Sequence, residues 1–413
     1  MSAEPPRSPW DPPAPERVEV IDCTLRDGEQ APGVVFTIDE KLQIATSLSR
    51  AGVNLLDAGF PAGSGEEIET LQELRRLKLN AGIGATARPF RDDIAAADKA
   101  MAQEVFLFMP TSDSRIEKTL GMTRERAIKL FRDGAEDVVG RGMALNVVFE
   151  DATRADPRFL RHFVEQITAS VPVTRVIIAD TVGCARPDTM ASLTRKLRAA
   201  LDPVVRVCPH CHNDFGLASA NTLAAVAAGA ESVTCTVNGL GERAGNADLA
   251  EVAAGLRYLY GIEHSIDLVE MQRLAQLVER LSGVHTSFTK PVTGLNVFRH
   301  ESGVHVDAML KSAESYEFLP SSAVGRKTEF VLGKHSGSAL IRSILDESGV
   351  VAADDDTVKS LLTMVKHKLT QSSKTEHERL YGQRQQFFAD RLSGIDHAEL
   401  TQLIIDSHER ATS

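Results

Sequence analysis

The sequence predicts an α/β fold, a (β/α)8 TIM barrel followed by a small, mostly helical C-terminal region. A short β-branched or apolar run recurs eight times, each followed by a longer amphipathic segment that ends near glycine. The run centres lie roughly 30 residues apart, the length of a strand plus its crossover helix. Each run is close to continuously apolar, as parallel strands buried on both faces should be. Eight such units within about 250 residues close a barrel, whereas fewer leave an open sheet with edges to protect. A doubly wound sheet is the alternative; its dinucleotide-binding form would want a Gly-x-Gly-x-x-Gly turn after the first strand, and none follows it.

Residues 1–17 contain Pro5, Pro6, Pro9, Pro12, Pro13 and Pro15. That density blocks helices and sheet ladders and predicts a disordered arm outside the fold. The strand candidates are Val18–Asp22, Val53–Ala58, Ala81–Thr86, Glu104–Met109, Ala144–Phe149, Arg175–Ala179, Val204–Cys208 and Ser232–Thr236. With a helix over Asp267–Ser282 they define a barrel domain of residues 18–282. The pattern turns irregular from Gly283 to about Lys334, and helical apolar spacing returns in Ala339–Ser348, Thr357–Gln371 and His397–His408. Residues 283–413 therefore read as a linker and helical subdomain, too short for a further regulatory domain of ordinary size.

The chain has 413 residues, 43% of them hydrophobic, with a net charge of −11. The negative balance argues against nucleic acid and anionic lipid as partners. No stretch has the apolar length of a membrane span and no secretory signal pattern opens the chain, so a soluble, cytoplasmic protein is expected. Five cysteines, Cys23, Cys184, Cys208, Cys211 and Cys235, show no disulfide-scaffold spacing and are expected as reduced thiols. Those outside the Cys208-Pro-His-Cys211 segment are expected to behave as small buried apolar residues.

Barrel enzymes carry their chemistry at the C-terminal ends of the strands. Here the residues after the first four runs include Arg26, Asp27, Glu29, Gln30, Asp57, Thr86, Arg88, Thr111 and Ser112. The last four are followed by Glu150, Asp151, Asp180, Thr181, His210, His212, Asn213, Asp214, Asn238, Glu242, Arg243 and Asn246. If the strands are correctly read, these groups converge on one rim. In His210-Cys211-His212 the alternation of an extended strand points both imidazoles the same way. Two neutral imidazoles plus a carboxylate suit a divalent ion; a hydrogen-bonded histidine pair is the alternative. Cys208-Pro-His-Cys211 has no second Cys-x-x-Cys to complete a zinc site. The loop Asn238-Gly-Leu-Gly-Glu-Arg-Ala-Gly-Asn246 is flexible enough to bring backbone N–H groups to an anion, or it makes a tight structural turn. It lacks the ending of a P-loop.

Asp22-Cys-Thr-Leu-Arg-Asp-Gly-Glu-Gln30, His210-x-His-Asn-Asp214, the Asn238–Asn246 loop and His300-Glu-Ser-Gly-Val-His305 resemble the acetyl-CoA-dependent 2-oxoacid condensing enzymes. These are the homocitrate, 2-isopropylmalate and citramalate synthases, and the resemblance runs in order over residues 18 to about 340. It implies an acyltransferase that condenses acetyl-CoA with a 2-oxoacid and hydrolyses the thioester. Asp27, His210 and His212 would ligate a divalent metal (Mg, Mn, Zn or Co), with Asn246 as a further ligand. Arg26 would face the substrate carbonyl oxygen and Thr181 would hold the 2-oxoacid carboxylate. Glu150, His305 and Tyr316 would serve the proton transfers. His305 and Tyr316 would reach the partner's barrel in a homodimer with exchanged C-terminal regions. Packing is the alternative reading of Tyr316 and loop capping that of His300, while Gly333-Lys-His-Ser-Gly337 either binds or turns the chain.

Glu150-Asp-Ala-Thr-Arg-Ala-Asp156 and Val331-Leu-Gly-Lys-His335 look closest to nitrogen-fixation-type homocitrate synthases, which points to 2-oxoglutarate. Lysine-pathway homocitrate synthases carry an arginine four residues before the Glu150 position, where this chain has Asn146. Phe60-Pro61 is similar to isopropylmalate synthases, without the long leucine-sensing domain typical of those, and Asp57 stands where relatives usually have Glu. The mixture leaves other 2-oxoacids open: 2-oxoisovalerate, oxaloacetate, pyruvate or a phosphonate-bearing pyruvate analogue. Arg88, Arg115 and Arg154 are the candidate holders of a distal anion. The related hydroxyacyl-CoA lyases place a catalytic cysteine in the glycine-rich loop, where this chain has Glu242 and Arg243.

Overall fold

The computed structural model describes residues 14–348, 354–370, 374–387, 389 and 399–404. The chain divides into two units, Met1–Thr286 with Pro291–Thr293, and Ser287–Lys290 with Gly294–Ser413. The first contains strands β1 (Glu19–Asp22), β2 (Leu55–Asp57), β3 (Gly82–Ala87), β4 (Glu104–Pro110), β5 (Ala144–Glu150), β6 (Arg175–Asp180), β7 (Arg206–Cys211) and β8 (Ser232–Cys235). Between and after them run helices α1 (Ile38–Arg50), α2 (Gly65–Arg76), α3 (Arg91–Lys99), α4 (Arg124–Gly140), α5 (Pro157–Thr168), α6 (Pro187–Ala200), α7 (Ala218–Ala227), α8 (Leu249–Tyr258) and α9 (Met271–Ser282). All strand pairs of the sheet are parallel, in the order β7-β6-β5-β4-β3-β2-β1-β8. The predicted TIM barrel is present.

The β7–β8 join closes it differently from the rest. Pro209 has no N–H to give a ladder, and the join is made by the Glu231 N–H donating to the Val207 carbonyl and the Thr234 hydroxyl donating to the Pro209 carbonyl.

Strand alternation separates the core from the helix layer. Ile21, Cys23, Leu55, Phe106, Ile177 and Cys208 cluster inside the barrel with Val148 against them. Phe149, one residue on, points outward to Phe163 of α5, ring centroids 5.2 Å apart. Helix α5 starts at the Asp156 cap with Pro157 in its first turn and buries the stripe Phe159, Leu160, Phe163, Val164 and Ile167. Below the apolar layer the barrel floor is sealed by charge. Arg175, 5% exposed, pairs with Glu19 and Glu104, and Asn146 bridges Glu104 and Arg175.

The second unit contains β9 (Arg299–His300) parallel to β10 (Glu329–Phe330), and helices α10 (Gly303–Lys311), α11 (Ser338–Glu347), α12 (Asp355–Thr370) and α13 (Lys374–Phe387). Residues 399–404 are also helical; the rest of the predicted His397–His408 helix lies outside the described residues. The stretch expected to be irregular thus contains two short strands and α10. That helix buries only Val306 and Met309, too narrow a stripe to show as a periodic signal. Residues 1–13 of the expected arm lie outside the described residues, while Glu16 and Val18 exchange backbone hydrogen bonds with Glu263. Among the described residues no helix is long and apolar enough to cross a membrane.

Candidate active site at the mouth of the barrel

The turn after β1 is built by its own side chains. Asp22, 1% exposed, accepts hydrogen bonds from the Thr24 N–H and hydroxyl, and the Thr24 oxygen accepts the Val237 N–H from beyond β8. Burial pushes the Asp22 carboxyl up to about 7, against the lowering effect of Thr24. The N–H groups of Asp27 and Gly28 both return to the Cys23 carbonyl, so the chain wraps tightly and presents Arg26 and Asp27 to the cavity. Arg26 Nε donates to Asp57 Oδ2 at 2.7 Å and Nη1 lies 3.3 Å from Asp27 Oδ2. Thr86 donates to the other Asp57 oxygen. Burial opposes the guanidinium charge, but Asp57 and Asp27 outweigh it and raise the Arg26 pKa. Glu29 turns away instead, to Lys41.

His210 and His212 leave the end of β7 with rings 5.2 Å apart. Their Nε2 atoms lie 3.0 and 3.8 Å from Asp27 Oδ2. His210 Nδ1 sits 2.9 Å from the Thr234 oxygen, whose own proton goes to the Pro209 carbonyl. Nδ1 must therefore carry a hydrogen, so Nε2 is the ring atom that faces Asp27. Burial and the neighbouring His210 push the His212 pKa down to about 4. Asp27 is held well below the usual carboxylate range: burial raises it, and Arg26 and His210 overcome that.

The glycine-rich loop after β8 is a tight structural turn. Its Gly239, Leu240, Gly245 and Asn246 N–H groups are all spent on carbonyls of Thr236 to Glu242, so these four form no anion cradle. The turn sets Asn246 across an antiparallel bridge from His212. Gly245 adopts φ +87°, and a Cβ there would lie 1.8 Å from the Gly239 carbonyl oxygen, so only glycine fits.

These groups open on one cavity of about 470 Å³. Asp57, Thr86, Glu150, Thr181, Glu242 and Arg243 line it as the strand-end argument expected, over a floor of Phe106, Phe108, Val148 and Ile177. Thr181 Oγ1 accepts the Asp151 N–H, leaving its own proton to donate. Arg243 is bound bidentately to Asp214 and also to the Thr181 carbonyl. Glu150 pairs with Arg115, which also lines the cavity. Thr111, Ser112 and Asp151 are buried in the loops behind the rim, and Asp180 is buried at the end of β6. Of the three arginines proposed for a distal anion, two are excluded: Arg88 is clamped by Asp93 and Arg154 by Asp151, and neither lines this cavity. Asn146 lies in the floor network, outside the cavity lining. Cys184 corrects the expectation of burial: it is exposed in the loop after β6, while the other four thiols are buried.

His305 and Tyr316 lie in the second unit, their rings stacked 4.1 Å apart. There the Gly303 N–H donates to the His335 carbonyl and the His335 N–H to Glu301, so Gly333–Gly337 packs on the His300–His305 segment.

Thr234 is the functional residue that sequence reasoning passed over, since it fixes the His210 tautomer. The signal for it was the hydroxyl row Ser232, Thr234 and Thr236 at alternate positions of an otherwise buried strand. The donor set fits a divalent ion. One ligand atom each from Asp27, His210 and His212 lies within 4.8 Å of the others. Asp27 Oδ1 and the whole Asn246 amide are buried with no protein partner, a cost that a ligated ion removes.

The HMGL-like family matches residues 17–278, and a homocitrate synthase post-HMGL domain-like family matches residues 292–373. The chain belongs to the HMGL-like family. Its relatives include a Methanopyrus kandleri protein assigned as an (R)-citramalate synthase, 41% identical over 85% of this chain and 69% of the relative. A second protein of that organism, assigned as a 2-isopropylmalate synthase, is 43% identical over 83% and 68%. The homocitrate synthase AksA of Methanothermobacter thermautotrophicus is 39% identical over 86% and 90%. This HMGL-like protein is thus an enzyme related to the citramalate, 2-isopropylmalate and homocitrate synthases, the group its four motifs resemble. The hydroxymethylglutaryl-CoA lyase of Pseudomonas aeruginosa shares the fold, with a TM-score of 0.61 at 18% identity over 68% of this chain and 98% of the lyase.

Proposed function

We propose that the chain catalyses a metal-dependent Claisen condensation of acetyl-CoA with an acidic 2-oxoacid such as 2-oxoglutarate, then hydrolyses the thioester to release CoA. The observation that carries this reading is the gathering of Asp27, His210 and His212 within 4.8 Å beside the clamped Arg26. Asp27, His210 and His212 would hold the ion, with Asn246 as a further ligand. A divalent ion there would supply Lewis-acid polarisation of the substrate ketone.

The remaining roles fall to the chain's own groups. Thr181 donates its free hydroxyl proton to the 2-oxoacid carboxylate. Glu150, on the opposite wall, takes a proton from the acetyl methyl group, and the resulting carbanion forms the new bond to the ketone carbon. Arg26, its Nε committed to Asp57, donates from its remaining N–H groups to the ketone oxygen as it becomes an alkoxide. Protonation of that alkoxide gives the tertiary alcohol, and water then cleaves the thioester to the acid and the CoA thiol. His305 and Tyr316 assist these proton transfers at the partner's barrel in a homodimer with exchanged C-terminal regions.

The test is thiol release from acetyl-CoA with Mg or Mn and a panel of 2-oxoacids. Metal-dependent release with a dicarboxylic acceptor supports the reading, and silence across the panel overturns it. His212→Ala is expected to abolish turnover and to lose bound metal by elemental analysis; full activity in that variant removes the metal assignment.

A further inference from the structure

Three arginines line the cavity, and two are already committed. Arg26 is held between Asp27 and Asp57, and Arg243 gives Nε and Nη2 to both oxygens of Asp214. Arg115 differs. Among the described residues its guanidinium meets one acid, Glu150 through Nη1, and its side chain is 35% exposed at the cavity wall. A guanidinium carries five N–H donors in a planar fork, so one edge of Arg115 remains for a second anion.

Its position suits the far end of an acidic substrate. The circular strand order puts β4 and β5 across the barrel from β8 and β1. Arg115, in the loop after β4, therefore faces Asp27 and the paired imidazoles across the mouth. A wide turn sets it there: the Leu120 N–H reaches back five residues to the Arg115 carbonyl, a geometry found often at functional sites. Hydrogen bonding points the same way: a second carboxylate or a phosphonate needs N–H donors at that end of the cavity, and Arg115 has them beyond the Nη1 it gives to Glu150.

We infer that Arg115 is the distal-anion subsite, holding the far carboxylate or phosphonate of the 2-oxoacid on its free edge while its other edge keeps Glu150. This rests on the acidic-substrate reading above. It also ties acceptor choice to the base, because the same guanidinium touches both.

Full-length wild type and Arg115→Gln are compared on 2-oxoglutarate and oxaloacetate against 2-oxoisovalerate and pyruvate. The ratio of kcat/KM for dicarboxylic over monocarboxylic acceptors is expected to fall about 100-fold. In Mg-loaded protein without acetyl-CoA, calorimetric affinity for 2-oxoglutarate should fall by a similar factor, and Arg115→Lys should recover part of it. A wild type that prefers dicarboxylates, with an Arg115→Gln variant keeping that preference, overturns the subsite and leaves the acidic reading standing. A wild type that turns over only monocarboxylates sinks both. Equal loss on every acceptor with unchanged 2-oxoglutarate affinity also overturns it, since Arg115 would then act through Glu150 alone.

Discussion

Replacing Asp57 with asparagine tests whether Arg26 depends on its clamp. The Arg26 side chain is 19% exposed and Asp57 is 1% exposed, so the pair is largely shielded from water. Two unit charges about 4 Å apart interact by about 4 kcal/mol at an effective dielectric of roughly 20. The amide of the Asp57→Asn variant would keep a neutral hydrogen bond worth about 1 kcal/mol. It would also spare the cost of burying a carboxylate whose pKa burial already raises, so the net loss of stability is about 2 kcal/mol. The effect on turnover should be larger. A guanidinium free to swing toward Asp27 no longer meets the developing alkoxide, and loss of one such donor costs roughly 100-fold in kcat. Thiol release at saturating substrate gives kcat, urea unfolding gives stability, and Asp57→Glu, which keeps the charge one methylene farther out, should fall between. A kcat within about threefold of wild type, alongside a lowered urea midpoint, would show that Arg26 does not need Asp57 for its role.

Four further outcomes are expected from other parts of the chain, the first being the loss of turnover and metal in His212→Ala described above. His264 donates Nε2–H to the Ala253 carbonyl and accepts the Ile266 N–H at Nδ1, and burial, then Arg257, push its pKa from 6.5 to about 4. The unfolded chain takes the proton first, so this stabilisation is whole above about pH 6.5 and is lost as pH falls toward 4, by about 3 kcal/mol. His264→Gln should flatten the urea midpoint over that window; parallel curves refute it. Gly245→Ala should destabilise by about 2–4 kcal/mol in thermal unfolding, whereas Gly140→Ala, where a Cβ meets nothing within 4 Å, should not. Co-expressing inactive Asp27→Asn and His305→Ala should restore roughly one quarter of wild-type turnover if sites are completed between protomers; no recovery argues that each site uses one chain.

The barrel and the rim were legible because buried parallel strands and their polar ends leave strong local marks. The expected run for β7 stopped at Cys208, before Pro209, whose missing donor normally ends a ladder. The strand continues to Cys211 because its pairing with β6 runs through Pro209 to Asp180 opposite Cys211, while the join to β8 draws on the Glu231 and Thr234 side chains. Helix α13 left no mark at all, since its described side chains are exposed and carry no apolar stripe. The arginines show the limit more finely. Arg88 and Arg154 are neutralised by acids five and three residues away, which sequence could have suggested. Arg115 meets an acid 35 residues away, a pairing that exists only once β4 and β5 lie side by side.

The charged floor has a consequence for traffic. With Arg175, Glu19, Glu104 and Asn146 plugging the far end, the barrel is a blind cup with one doorway. Whatever sits deepest has to enter first and depart last. A bulky second reactant then acts as a stopper, and its spent carrier must leave before the finished molecule can follow.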